Sequence, residues 1–125
     1  MASIAGFTTA LRAALTTHFT GWRVVDKSQA EPADSKTIVV EEWGQQPIWT
    51  GIDTVDTTFK ARAVFFSRTR SDCTGLDIGA FLLAYPQSIS GYYRLRVEEV
   101  AEHHSGLDKE EYAHELAVIF TADSR

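Results

Sequence analysis

The chain has 125 residues, 44% hydrophobic and 23% charged, which suits one globular domain with a single core and leaves too little chain for two. Its one cysteine, Cys73, excludes an intrachain disulfide framework and a multi-cysteine zinc site, and fits a reducing compartment. A formal net charge of -5 argues against attraction to nucleic acid phosphates or anionic membrane, no run approaches the roughly 18 apolar residues that span a bilayer, and Met1 to Phe7 lacks the order of a secretory signal.

Ile4, Phe7, Leu11, Leu15 and Phe19 recur at helical spacing, with Ser3 placed to cap the helix and Gly21 to stop it before Trp22-Arg23-Val24-Val25. Residues 26–36 are polar, contain Pro32 and read as a loop within the domain. The β-branched run Thr37 to Trp43 predicts a strand ending at Gly44, and Gln45 to Gly51, with Pro47, predicts an edge strand or a projecting hairpin arm. From Val55 to Ser67, Val55, Phe59, Ala61, Ala63 and Phe65 share one parity and Asp56, Thr58, Lys60 and Arg62 the other, as in a half-buried strand.

The period then changes to that of a helix capped by Ser71 or Asp72, with Ile78, Phe81, Leu82 and Tyr85 on one face and Pro86 ending it. Tyr93, Leu95 and Val97 alternate with Arg94, Arg96 and Glu98 in a further strand. A turn at 103–109 leads to a last strand carrying Tyr112, Leu116, Val118 and Phe120. The expected fold is a single α+β domain over 1–125, with a mainly antiparallel sheet of four to five strands and two helices on one face, in the order α-β-β-(β)-α-β-β.

Candidate chemistry is sparse. His103, His104 and His114 flank the last turn beside Glu102, yet neighbours on a strand point to opposite faces, so the cluster reads as a polar turn and no metal is expected. Cys73 falls near the start of the second helix, where a helix dipole can lower a thiol pKa, but no base is positioned for it and it reads as a small residue that packs locally. Glu98, Glu99, Glu102, Asp108, Glu110 and Glu111 have the composition of a solvated hairpin, and no phosphate loop, nucleophile elbow or zinc-helix motif is present. The expectation is a protein without catalytic residues or cofactor. Arg62, Arg68 and Arg70 fall at the end of the third strand and the turn after it, where they read as salt partners of the acid-rich surface or as a small basic patch. The stronger signal is the arm, where Gln45, Gln46, Ile48 and Trp49 sit among glycines and a proline that do not look like core and suit partner contacts, with Trp43 beside them at a strand end that fits either an interface or the core.

The runs Ile4-Ala5-Gly6-Phe7-Thr8-Thr9-Ala10-Leu11-Arg12-Ala13-Ala14-Leu15, Gly21-Trp22-Arg23-Val24, Thr37 to Trp43 and Leu116-Ala117-Val118-Ile119-Phe120 resemble the small tail terminator and tail-completion proteins of tailed bacteriophages, in length and element order over almost the whole chain. The resemblance implies a virion protein, assembled in the host bacterial cytoplasm, that forms a ring, commonly a hexamer. Such a ring caps the last ring of the tail tube, stops polymerisation and presents a surface to neck or connector proteins. It implies partnership with itself and with the tail tube protein, DNA as passing cargo only, and no membrane. A second reading is a small regulatory or inhibitor-type binding module acting as a monomer or dimer.

Overall fold

The computed structural model describes residues 2–26, 36–49, 51, 55–67, 69–85, 88–104 and 114–124, and of Arg70, His103 and His104 the backbone. Helix α1 spans Ile4–His18 and is followed by β1 (Arg23–Asp26), β2 (Thr37–Trp49) and β3 (Val55–Ser67). Two short helices, α2 (Arg70–Thr74) and α3 (Ile78–Leu83), lead to β4 (Ser88–Ile89), β5 (Tyr92–His104) and β6 (His114–Ser124). The six strands form one curled sheet in the order β1-β2-β3-β6-β5-β4.

The fold class is α+β as expected, with two corrections to the sheet. Among the described residues it has six strands, and β1 pairs parallel to β2, Arg23 beside Thr37 through Asp26 beside Val40, while the other pairings are antiparallel. The sequence after Gly21 is too short for a periodicity to register, which is why Trp22 to Val25 carried no clear strand signal. Gly21 itself takes φ +88, the left-handed turn that redirects the chain from α1 into β1.

Ser3 caps α1 as its position predicts, its Oγ accepting from the Gly6 N–H at 2.9 Å. Tyr92 is pinned to the same helix start: its hydroxyl donates to the Ser3 carbonyl at 3.1 Å and accepts from the Ser3 N–H at 3.2 Å. Gly6 permits this approach, because a Cβ there would collide with the Tyr92 hydroxyl. The second helix is not continuous. Gly75 closes α2, and Asp77 begins α3 by accepting from the Ala80 N–H at 2.8 Å, so a stop and a cap two residues apart break one predicted helix into two. Neither Ser71 nor Asp72 is the cap; Thr69 precedes α2, and the Asp72 carboxylate accepts from the Ser67 hydroxyl at 2.6 Å instead. Pro86 and Tyr112 lie outside the described residues.

The core lies between the helices and one face of the sheet. Phe7, Leu11 and Leu15 of α1 and Phe81 of α3 are fully buried against Ile38, Phe65, Val118 and Phe120. Phe81 centres the aromatic contacts, edge-on to Phe120 at 5.4 Å and packed against Phe19 at 5.6 Å. Each ring removes some 150–250 Å² from water, so this cluster carries much of the folding energy.

Candidate interaction surface

β2 is one strand rather than a strand followed by a separate arm. It pairs with β3 from Thr37 beside Phe66 to Trp49 beside Val55, a length of roughly 40 Å. One extra residue sits between Glu42 and Gly44, so Trp43 is a bulge that turns its ring onto the helix-free face of the sheet. There the Arg62 guanidinium lies over the Trp43 ring, 5.2 Å from its centroid, and bonds Glu41 at 3.0 Å. Trp43 remains 50% exposed and Trp49 74% exposed. Gln45, Gln46 and Pro47 are exposed and Ile48 is half-buried. The paired backbone positions these side chains and leaves them outside the core.

The candidate residues do not form a single patch. Trp43, Gln45, Gln46, Ile48 and Trp49 share the β2 end of the molecule, whereas Arg70 starts α2 beyond Ser67, at the opposite end of β3 from Val55. Arg68 lies outside the described residues. Arg62 sits within β3 and is engaged by Glu41 and Trp43, in keeping with the salt-paired reading of this arginine.

The helix-free face behind the arm is a ladder of charged pairs. Lys60 bonds Glu98 at 3.0 Å, which holds the Glu98 carboxyl below its ordinary pKa. Asp123, fully buried, accepts from the Thr58 hydroxyl at 2.7 Å and from Arg96 at 3.2 Å, and is also bridged by Arg94. Burial pushes the Asp123 carboxyl up, but the Thr58 and Arg96 hydrogen bonds and the arginine charges outweigh it and leave the pKa lowered. A hollow of about 330 Å³ opens on this face, with Gln46 and Ile48 of the arm on one side and Lys60, Arg96 and Thr121 within its lining.

The strand β5 departs from the predicted alternation. Tyr93 lies beside Asp123 and Arg96 beside Thr121, so one extra residue has entered, at Arg94 with φ +56. Tyr92 therefore enters the core, packed on Phe7 and Phe59. Tyr93 turns to the helix-free face, where its hydroxyl donates to Asp56. A second extra residue lies between Val97 and Glu99.

Cys73 is buried in α2, with its Sγ 3.4 Å from the His114 carbonyl and 3.6 Å from that of Phe65. Burial and then the Asp72 charge push its thiol pKa up, the reverse of the lowering expected from a helix start. His104 pairs with His114 and His103 with Glu115, which sets the two adjacent histidines at successive rungs of the β5–β6 ladder. Asp108, Glu110 and Glu111 lie outside the described residues. The sequence reading passed over Val100 and Leu83, which are 52% and 79% exposed; Val100 was hidden by its place in an apolar and polar alternation that the extra residues shift. Among the described residues, no helix is long and apolar enough to cross a membrane.

No protein-family model matches the chain, and no curated protein matches it.

Proposed function

We propose that this protein is a structural component of a phage tail, forming a homomeric ring, with six copies favoured, that caps the tail tube, halts its polymerisation and offers a surface to the neck. The observation that carries the reading on the structural side is the exposure of Trp43 and Trp49 on a strand locked into the sheet by its full length of pairing. Exposed tryptophans on a rigid support contribute large contact area at small entropic cost, which is the composition of an interface centre. A ring requires two different patches per subunit, and a strand at one side of the molecule supplies the first of them. The sequence resemblance supplies the tail context.

The test is the mass of the purified protein by light scattering over a concentration series, with and without tail tubes. A ring-sized species, or capture at tube ends, supports the proposal. A monomer indifferent to tubes overturns it and leaves the single-partner binding module.

A further inference from the structure

The sheet has two long edges. β1 lies beside β2 only as far as Val40, and β4 lies beside β5 only at Tyr92 and Tyr93. Beyond those residues, no strand among the described residues runs along the outer edge of 41–49 of β2, away from β3, or of 94–104 of β5, away from β6. Long uncovered edges are sites where another chain adds a strand.

The two edges are complementary in three respects. First, β2, β3, β6 and β5 are linked by successive antiparallel pairings, so β2 and β5 run in opposite senses. A second copy set with its β5 along β2 would extend the sheet by an antiparallel pair. Second, the irregularities match. When side chains are kept on corresponding faces of the sheet, Ile48 falls opposite Arg96, Pro47 opposite Val97 and Gln45 opposite Val100. The one extra residue at Glu98–Glu99 is then offset by the one extra residue at Trp43, and Glu41 falls opposite His103. Without a bulge on each strand, one half of such a ladder would place its side chains on the wrong face. Third, five large apolar side chains are exposed among the described residues, and Trp43, Trp49 and Val100 lie on these two edges. The matched register seats Trp49 beside Leu95 and brings Val100 against the arm. Two positions are unfavourable: Glu42 opposite Glu102 is a like-charge pair that salt screens, and Pro47 has no N–H to donate to a neighbouring strand.

We infer that the β2 edge of one copy pairs antiparallel with the β5 edge of the next, a head-to-tail contact in which the arm and β5 are the two different patches. This deepens the ring reading and rests on it for closure, since the same contact builds a ring or an open filament according to the rotation between copies.

The test uses Gln45→Cys and Val100→Cys, both exposed positions, in the full chain with buried Cys73 retained. Directly opposed residues in an antiparallel pair stand close enough for a disulfide to form. Under mild oxidation, either single variant alone should stay uncrosslinked. An equal mixture of the two should shift to a crosslinked dimer, and the doubly substituted chain should give a ladder of multimers. Gln45→Cys mixed with Ala101→Cys, which sits on the other face, should fail to bridge. Like-with-like bridging, equal bridging to Ala101→Cys, or no bridging while the parent protein runs at ring size would overturn the edge pairing and leave the ring standing. Bridging in a protein whose parent stays monomeric would keep the pairing and remove the ring. A monomer without bridging removes both.

Discussion

On the helix side of the sheet, Phe59, Phe65 and Phe120 lie under α1 and α3 in a closed apolar cluster. On the other side the same strands carry Thr58, Lys60, Arg62 and Asp123, engaged pairwise with Asp123, Glu98, Glu41 and the arginines of β5. The first face is held by area removed from water and is indifferent to pH and salt. The second is held by directional contacts between charges, so its strength depends on protonation and on how far each partner is exposed. One set of strands thus has a face that makes the fold stable and a face that fixes the path of β2 and β5, the strands with open edges.

The comparison is tested most severely at Phe81. Phe81→Ala removes a fully buried ring from contact with Phe19, Tyr85 and Phe120 and should cost about 3–5 kcal/mol by urea denaturation, with little dependence on pH. A loss under about 1 kcal/mol would mean that α3 is not part of the core.

Asp123→Asn should have a smaller and pH-dependent effect. The carboxyl is fully buried while Arg94 and Arg96 are 60% and 44% exposed, so solvent weakens the pairs and the expected loss at neutral pH is about 2 kcal/mol. Because the folded chain lowers this pKa, the carboxylate's contribution is present above the ordinary aspartate value and is lost as pH falls through the folded one. The stability difference between parent and variant should therefore shrink as the pH drops below about 4. A difference independent of pH across that range would show that the ion pairs contribute nothing beyond packing.

The same contrast explains how much the sequence disclosed. The helix face was legible because apolar residues at period 3.6 in α1 and period 2 from Phe59 to Phe65 in β3 report burial directly, whereas at the start of β3 Val55 is exposed and Asp56 and Thr58 are buried, against the expected alternation. Ser3, Gly21 and the exposure of Trp49 followed from local chemistry, while Trp43 at a strand end fitted core as well as surface and owes its exposure to the bulge. The polar face was not legible, since nothing in Asp123, Thr58 and Arg96 marks them as neighbours until register is known. The extra residue at Arg94 reversed the roles of Tyr92 and Tyr93, and a single inserted residue leaves no periodic trace. Arg70, expected in the turn after the third strand, begins α2 a strand length from the arm. Cys73 reads in sequence as a small residue that packs locally near a helix start, and its burial in α2 agrees.

The smallest expected effect on folding belongs to the arm, and it tests the central claim most directly. In the chain carrying both Ile48→Ser and Trp49→Ser, one side chain is half-buried and the other 74% exposed, so unfolding should shift by about 1 kcal/mol or less. Measured side by side by urea denaturation and light scattering, that variant is expected to fold like the parent and to lose self-association or capture by tail tubes. A variant that unfolds would show that the arm is core, and one that folds and assembles like the parent would show that the arm is not the interface.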